Sequence, residues 1–269
     1  SITSKRVDEI ILSSQPHRQK SIVFVTGVPG AGKTLVGLDV ATRRRDEDAP
    51  THAVFLSGNG PLVRVLQEAL TRDEVTRRRA AGESVRKGAV AQKVKPFIQN
   101  VHHFRDEGVR DTRTPPHDHV VIFDEAQRAW SREQTSNFMQ RRKRIPDFNQ
   151  SEPEFLISYL DRHADWAVIV CLVGGGQEIN TGEDGIAGWL EAIRDRFPQW
   201  RVFISPELTD AEYAAGEALS RLGSQRDVLT ERGLLLAVAM RSFGSENLSA
   251  FVKALMVSAV SSAQQFAET

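Results

Sequence analysis

Gly27-Val28-Pro29-Gly30-Ala31-Gly32-Lys33-Thr34 is the stretch of this sequence that decides the fold. It follows a short β-branched and aromatic run at residues 22–25, and it opens a segment with helical spacing that extends from residue 33 to residue 45. The stretch fits G-x-x-x-x-G-K-[ST] in full, which is the pattern of a phosphate-binding loop between a buried strand and a helix. The sequence therefore predicts a nucleotide site at this loop. A glycine-rich turn with an incidental lysine is the alternative.

Each residue type in the loop has a physical task. The glycines let successive backbone N–H groups approach phosphate oxygens, and the following helix adds the positive end of its dipole. Lys33 supplies a positive charge for the β- and γ-phosphates, and the Thr34 hydroxyl can bind Mg²⁺. We expect the nucleotide to contact nine consecutive residues: Gly27, Val28, Pro29, Gly30, Ala31, Gly32, Lys33, Thr34 and Leu35.

A second motif places two acids after an apolar run, in Val120-Val121-Ile122-Phe123-Asp124-Glu125. An acid at the carboxyl end of a parallel strand lies where open α/β sheets bind ligands, so we expect Asp124 to hold Mg²⁺ together with Thr34. Glu125 can orient and deprotonate a water molecule, which favours hydrolysis over transfer to an alcohol. The alternative is an Asp-Glu pair that merely begins a helix. The sequence lacks an Asn/Thr-Lys-x-Asp guanine element, so ATP is the predicted nucleotide.

The rest of the chain alternates apolar runs with helical segments. The runs predict strands at residues 22–25, 53–57, 97–101, 117–123, 166–173 and 201–204. Helices are predicted at residues 126–143, 155–162 and 189–196, and residues 72–95 are polar and helical or partly mobile. Several strands are apolar throughout, which is typical of a mostly parallel sheet covered by helices on both faces. The composition changes near Pro206, where we place a domain boundary.

Composition sets further limits. The chain has 269 residues, 40% of them hydrophobic and 26% charged, and its 35 basic and 35 acidic residues cancel. A nucleic-acid site would therefore need local clusters of positive charge. A single cysteine, Cys171, excludes a disulfide framework and predicts a cytoplasmic protein. No apolar stretch approaches the length of a membrane span, so we predict no membrane partner.

Five strings occur in an order that resembles one protein family. Together they are similar to the bacterial Schlafen group 3 DNA/RNA helicase domain, whose P-loop core is similar to superfamily-one helicases. The resemblance extends over residues 21–256, and its second and fourth strings are the most specific. The strings are Gly27 to Thr34, Phe55-Leu56-Ser57-Gly58-Asn59-Gly60-Pro61-Leu62-Val63, Phe123-Asp124-Glu125-Ala126-Gln127-Arg128-Ala129-Trp130, Gly174-Gly175-Gly176-Gln177-Glu178-Ile179-Asn180 and Met240-Arg241-Ser242-Phe243.

The resemblance names the domains and implies two further catalytic residues, while the domain bounds follow the residue pattern at the start of the chain and the change in composition near Pro206. Residues 1–20 would form an N-terminal helix, residues 21–205 a RecA-like P-loop NTPase domain, and residues 206–269 a linker and the opening segment of a second helicase-like domain. Gln177 would sense the γ-phosphate, although three glycines stand where the helicase pattern has Gly-Asp. Arg241 would reach back to the γ-phosphate and stabilise transition-state charge. A glycine-rich turn and a surface arginine are the alternatives.

Several segments are candidates for nucleic-acid contact. The turn Ser57-Gly58-Asn59-Gly60 precedes a helix and could hold a backbone phosphate, or it is a plain strand-to-helix turn. Val101-His102-His103-Phe104 lies where related helicases have a strand–loop that touches the bound strand. Basic runs at residues 43–45, 77–79 and 141–144 could follow phosphates, although solvated helix faces are the usual explanation. His117 and His119 have no matching ligand set nearby in sequence, so no zinc site is predicted.

The sequence thus predicts a MgATP-binding and -hydrolysing P-loop NTPase that acts on single-stranded DNA or RNA in the manner of a helicase or translocase. Residues 206–269 are too few for a second domain of typical size, so a protein partner or further domain would complete the second lobe. The alternative is a regulatory ATPase switch that acts on a protein partner without nucleic acid. A small-molecule kinase is disfavoured, because Glu125, Gln177 and Arg241 fit water attack.

Overall fold

The computed structural model describes residues 1–28, 30–44, 52–175, 181–224 and 228–236. The strands of this part are β1 (Lys20–Gly27), β2 (Ala53–Ser57), β3 (Ile98–Asn100), β4 (Val120–Asp124), β5 (Ala167–Gly174), β6 (Arg201–Ile204), β7 (Val228–Thr230) and β8 (Leu235–Leu236). The helices are α1 (Ile2–Ser14), α2 (Lys33–Arg43), α3 (Gly60–Ala80), α4 (Lys87–Val94), α5 (Val101–Arg110), α6 (Arg132–Lys143), α7 (Glu152–Asp161), α8 (Gly185–Arg196) and α9 (Gly216–Gly223).

All strand pairs in the described part are parallel, and the strand order is β3-β2-β4-β5-β1-β6-β7. The short strand β8 pairs with the carboxyl end of β1, beyond the residues of β1 that pair with β6. The order places β5 between β1, which leads into the phosphate loop, and β4, which ends in Asp124. The carboxyl ends of these three strands therefore meet at one edge of the sheet, where α/β folds bind ligands.

Both faces of the sheet are buried, each under its own hydrophobic core. Successive side chains of a strand point to opposite faces, so neighbouring residues of one strand enter different cores. In β1, Ile22 and Phe24 join a core formed with α5, α7, α8 and α9. Val23 and Val25 join the opposite core, formed with α1, α2, α3 and α4. The predicted α/β fold, a mostly parallel sheet between two layers of helices, is confirmed. The predicted buried position of Cys171 in a strand is also confirmed.

The third and fourth strands differ from the prediction at their ends. Strand β3 stops at Asn100 because the Asn100 side chain accepts a hydrogen bond from the His102 N–H at 2.9 Å and caps α5. The segment from Val101 to Phe104 is therefore the first turn of a helix, where the sequence predicted a strand–loop. Strand β4 begins at Val120 and includes Asp124, so the stretch around His117 precedes the strand.

The predicted helix at residues 126–143 is two elements. A single 3₁₀ turn at Ala126–Arg128 follows Glu125, and α6 begins only at Arg132. The Ser131 side chain accepts a hydrogen bond from the Gln134 N–H and caps α6. Because the Ser131 side chain satisfies a first-turn N–H group that has no partner within the helix, it sets a new helix start here. Residues 72–95 are likewise divided between α3 and α4.

The sheet continues past the predicted boundary at residues 205 and 206. Strand β7 pairs with β6, and β8 pairs with β1, so residues 228–236 belong to the same sheet as the phosphate loop. The side chain of Glu231 also accepts a hydrogen bond from Arg6 of α1 at 2.6 Å. The expected boundary therefore does not coincide with the edge of the sheet. The division into domains stays a prediction, and residues 237–269 lie outside the described part.

Candidate functional site

The loop between β1 and α2 has the backbone of a phosphate cradle. Gly30 and Gly32 have positive φ angles of 80° and 87°, a conformation that side chains with a Cβ rarely adopt. The Ala31 N–H donates a hydrogen bond to the Val28 carbonyl at 3.0 Å, which closes the turn. Gly32 is the residue before α2 and offers no capping side chain, so the first N–H groups of α2 open onto the loop. That arrangement favours an anion at the helix start.

The side chain of Lys33 folds back over the phosphate loop, toward Gly27. Its ammonium group donates a hydrogen bond to the Gly27 carbonyl at 2.6 Å. Burial lowers the pKa of Lys33, while the carboxylates of Glu125, Asp124 and Glu212 oppose that shift. The lysine charge thus lies in a partly desolvated position among three acids, where its field on a phosphate oxygen is stronger than in water.

Thr34 and Asp124 join the start of α2 to the end of β4. The Thr34 hydroxyl donates to both carboxylate oxygens of Asp124, at 3.2 and 3.3 Å. Burial, and next the negative charge of Glu125, raise the pKa of Asp124 to about 7. A buried carboxylate next to a hydroxyl, both at the carboxyl edge of the sheet, is a donor set that suits Mg²⁺, which prefers oxygen ligands. Because a cation stabilises the ionised carboxylate, it would reverse the direction of this pKa shift.

Glu125 has a backbone conformation that is uncommon for its type, with φ 56° and ψ 49°. Left-handed residues other than glycine cost free energy and concentrate at functional sites, where they aim a side chain. Glu125 accepts a short hydrogen bond from the side-chain N–H of Gln127. Gln127 is buried, and its Oε1 accepts a hydrogen bond from the Gly174 N–H at the end of β5, at 2.9 Å. Gln127 therefore fixes Glu125 relative to the neighbouring strand.

A cleft of about 510 Å³ opens beside Asp124 and Glu125 at the carboxyl edge of the sheet. Its other walls come from the turn after β2, the first turn of α5 and the segment after β4. Residues from these three parts are Ser57, Gly58, Asn59, Leu62, Val101, His102, Arg128 and Trp130. The cleft thus brings together two of the segments that the sequence indicated for nucleic-acid contact, the turn after β2 and the start of α5, next to the acidic motif.

The wall of the cleft rests on a buried ion pair. Arg105, fully buried, donates to Glu152 at 3.0 Å, and its guanidinium lies 5.0 Å from the ring centre of Trp130. Burial raises the pKa of Glu152 and lowers the pKa of Arg105, and each shift is partly offset by the charge of the partner. Glu152 also accepts a hydrogen bond from the Trp130 N–H at 3.2 Å. The pair therefore holds both the backbone and the ring of Trp130 in place.

The rings at the cleft form a small aromatic surface. His102 lies 4.7 Å from Trp130, centre to centre. Burial, and next the charge of Arg105, lower the pKa of His102 to about 4, so this ring is neutral near pH 7. Uncharged aromatic rings that are partly exposed can stack against nucleobases.

A second depression, of about 810 Å³, adjoins the cleft at His102 and runs along the β3 edge of the sheet. It is lined by residues of α3, the loop before β3 and α5, with exposed cations at Arg64 and Lys95 and one acid at Glu107. Amide side chains add hydrogen-bonding groups at Gln67, Gln99 and Asn100. We call the 810 Å³ depression the edge groove.

The comparisons with known proteins decide the family. A family model described as "Schlafen group 3, DNA/RNA helicase domain" matches residues 20–269. The chain belongs to this family. Membership makes it a helicase-like nucleotide-binding domain, in agreement with the parallel sheet and with the phosphate loop. Comparison with curated proteins and with solved structures found no match in either.

Within this Schlafen group 3 domain, the structure brings most of the predicted site residues to one edge of the sheet. Lys33, Thr34, Asp124 and Glu125 lie there together, and the half-buried Leu35 continues the first turn of α2. Pro29, Gln177 and Arg241 lie outside the described residues. No helix in the described ranges is long and apolar enough to cross a membrane.

Sequence reasoning missed three contributors to the site of this helicase-like domain. Gln127 lies within a quoted motif, yet its hydrogen bond to Gly174 depends on the adjacency of β4 and β5. Glu152 starts α7 and reaches Trp130 only in the folded chain. Glu212 lies in a 3₁₀ turn that no motif indicated, close enough to Lys33 for its charge to oppose the lowering of the Lys33 pKa. No signal in the sequence pointed to Glu152 or Glu212.

Proposed function

We propose that this Schlafen group 3 domain binds MgATP and hydrolyses it, and that hydrolysis is coupled to movement on, or remodelling of, single-stranded DNA or RNA. The observation that carries the proposal is the contact of Thr34 with Asp124, with the charges of Lys33 and Glu125 close enough to act on Asp124. These residues supply a charge for the phosphates, two ligands for Mg²⁺ and a carboxylate for water.

The steps of hydrolysis follow from these positions. The loop N–H groups and Lys33 would hold the β- and γ-phosphates, and Thr34 with Asp124 would hold Mg²⁺, which would supply positive charge to offset that of the phosphates. Glu125, oriented by Gln127, accepts the proton of the attacking water as its oxygen bonds to the γ-phosphorus and the bond to the β-phosphate oxygen breaks. Gln177 and Arg241 retain their proposed roles as the sensor of the γ-phosphate and as a stabiliser of transition-state charge.

The cleft and the edge groove support a nucleic-acid strand as the partner. Helices α3 and α5 both begin at these depressions, capped by Asn59 and Asn100, and helix starts attract phosphates. Trp130 and His102 offer rings for a base, whereas Arg64 and Lys95 offer charges for the backbone. Phosphate contacts and base stacking without an extensive code of base-edge contacts are typical of binding to single strands.

The experiment is ATP turnover by the purified protein with Mg²⁺, alone and with single-stranded DNA or RNA, beside Lys33→Ala and Glu125→Gln. We expect one polymer to stimulate turnover and both substitutions to abolish it, with Glu125→Gln still binding nucleotide. Turnover that no polymer changes would instead favour the regulatory switch acting on a protein partner. A chain that binds no nucleotide would contradict the proposal entirely.

The nucleic-acid path has a separate test with a matched control. Arg64→Ala and Lys95→Ala each remove one cation from the edge groove, whereas Lys5→Ala removes one exposed cation from α1. We expect the first two to weaken binding of a labelled oligonucleotide and to reduce its salt dependence, because each phosphate contact releases counterions. Equal effects of all three substitutions would show that only the total charge matters.

A further inference from the structure

Histidines collect at the edge of the sheet that faces away from the phosphate loop. Four of the seven histidines lie there, at the amino ends of β2 and β4 and after α7: His52, His117, His119 and His163. Asp165 lies directly before Trp166 and β5, and Asp118 is buried between His117 and His119. This group is unused by the proposed nucleotide chemistry, because β4 separates it from Asp124 by about 16 Å at roughly 3.3 Å per residue.

Three of these side chains converge. One ring nitrogen of His119, one of His163 and one carboxylate oxygen of Asp165 all lie within 4.8 Å of one another. We propose that His119, His163 and Asp165 bind a divalent transition-metal ion, with Zn²⁺ as the best fit. The sequence predicted no zinc site because His163 and Asp165 are distant from His119 along the chain; the pairing of β4 with β5 brings them together.

The hydrogen bonds around the two rings are those of metal-binding histidines. His119 Nδ1 lies 2.8 Å from the Trp166 carbonyl, and His163 Nε2 lies 3.2 Å from the Asp118 carbonyl. A carbonyl oxygen only accepts, so each of these nitrogens donates, which leaves His119 Nε2 and His163 Nδ1 as the nitrogens available to an ion. Histidine ligands in metal sites usually donate their second N–H to a backbone carbonyl or carboxylate, which fixes the ring.

Asp165 has the freedom to complete the site. Its Oδ1 accepts a hydrogen bond from the Trp166 N–H at 2.8 Å and lies 4.0 Å from His119 Nδ1, the ring nitrogen that donates to the Trp166 carbonyl. Its side chain is 43% exposed, so its other oxygen can rotate toward an ion. Zinc lies about 2.0–2.2 Å from nitrogen and oxygen ligands, so the Asp165 carboxylate must turn toward His119 Nε2 and the three side chains must draw closer together to bind an ion. His119 is only partly buried and lies at the surface of the group.

The chemistry of the ligand set selects the ion. Imidazole nitrogens favour zinc and its neighbours, whereas Mg²⁺ and Ca²⁺ favour oxygen. Three protein ligands leave a fourth position for water. The ion would tie the residue before β4 to the connection between α7 and β5, so its effect would be on the stability of the sheet. The His119 ring stacks between the rings of His163 and Trp166, at centre-to-centre distances of 3.8 Å and 4.6 Å.

The test is calorimetric titration of Zn²⁺ into the full chain after treatment with a chelator, repeated in excess Mg²⁺ to fill the oxygen-ligand site. We expect one equivalent of Zn²⁺ to bind, with an increase in melting temperature. Asp165→Ala should weaken binding at least about tenfold. His17→Ala, which removes an exposed histidine of the α1 end, should leave the affinity unchanged. Co²⁺ should show visible absorption that is weaker in Asp165→Ala.

Two outcomes would overturn the metal site. One is the absence of Zn²⁺ binding by the wild-type chain, which would leave the stack of rings as a packing contact. The other is binding that Asp165→Ala and His119→Gln leave unchanged, which would place the ion elsewhere. His119 is partly exposed, and Asp165 even more so; melting curves of both variants without metal show whether each is folded before its affinity is interpreted.

Discussion

The side-chain oxygen of Gln127 accepts a hydrogen bond from the backbone N–H of Gly174 at 2.9 Å, and this contact joins the segment after β4 to the last residue of β5. The amide nitrogen of Gln127 donates to the Glu125 carboxylate. One buried amide therefore connects the proposed water-activating acid to the start of the glycine-rich segment that leads to Gln177. The Gln127 side chain thus links the segment that carries the proposed base to the strand that precedes the proposed sensor in the sequence.

Gln127→Ala should slow ATP turnover without preventing nucleotide binding. The substitution removes the hydrogen bond that orients Glu125, but it leaves Lys33, Thr34 and Asp124 in place. We expect kcat to fall by about 10- to 100-fold, less than the roughly 10²- to 10⁴-fold that a general base contributes, because Glu125 itself remains, and the Kd for ATP to change by less than about threefold. Steady-state turnover and fluorescence titration measure the two quantities.

Gln199→Ala is the control for Gln127→Ala, because it removes the same amide from an exposed position where Gln199 donates to Asp161. It should leave both quantities unchanged. A Gln127→Ala enzyme with wild-type kcat would show that Glu125 is oriented by its backbone alone.

Asp124→Asn should stabilise the nucleotide-free protein more at pH 8 than at pH 5, and it should have little effect only below about pH 4. The pKa of Asp124 is raised to about 7, so the folded state holds a proton that the unfolded chain has lost. The stability that this proton contributes is complete below the ordinary carboxyl pKa and falls as pH rises toward 7. At pH 8 the variant gains at most about 4 kcal/mol, since each pKa unit is worth about 1.4 kcal/mol.

Urea unfolding of both proteins at pH 5 and at pH 8, without Mg²⁺, measures this difference. Other titrating groups cancel in the comparison because they are common to both chains. A stability difference that is the same at the two pH values would contradict the pKa shift. With MgATP present the order should reverse, because the variant lacks a proposed Mg²⁺ ligand.

Gly27→Ala should destabilise the fold by about 1–3 kcal/mol, the usual cost of overpacking. A Cβ at this position would lie 2.7 Å from Leu236 Cβ and 2.9 Å from the Leu236 carbonyl oxygen, so β8 would have to move. Gly58→Ala is the matched control, since Gly58 directly follows β2 and a Cβ there meets nothing within 4 Å. Chemical denaturation of the two variants compares them, and equal stabilities would mean that β8 moves away at no cost.

Arg105→Met should destabilise the domain by about 3–5 kcal/mol at neutral pH, because it leaves the buried Glu152 carboxylate without its cation. Adding Glu152→Gln should restore part of this loss, since a neutral amide can still accept from the Trp130 N–H. Urea unfolding measures both. A double variant as unstable as the single one would show that packing of the Arg105 side chain, rather than charge, is what stabilises this wall.

The sequence predicted the parts of the site that are local in the chain. The phosphate loop and the acid pair could be read because each motif needs adjacent residues and a strand before it. The parallel sheet followed from apolar runs at regular intervals. Helix starts were harder to predict: Asn100 and Ser131 cap α5 and α6 with single side chains, and such caps override the periodicity of the flanking residues.

Contacts between elements could not be predicted from the sequence. Gln127 with Gly174, Arg105 with Glu152, and His119 with His163 each depend on which strands and helices are neighbours. The strand order, with β5 between β1 and β4, determines the contacts at both edges of the sheet. The end of the sheet at residues 228–236 was also missed, because its strands are two and three residues long and leave no periodic signal.

The close approach of Leu236 to Gly27 has a mechanical consequence. Strand β8 holds the last described residue of the chain against the first residue of the phosphate loop. Gly27 and Leu236 therefore cannot move independently without breaking the pairing of β1 with β8. If nucleotide binding or hydrolysis displaces the phosphate loop, the displacement would pass through the pairing of β1 with β8 to Leu236 and so to the chain that continues from it.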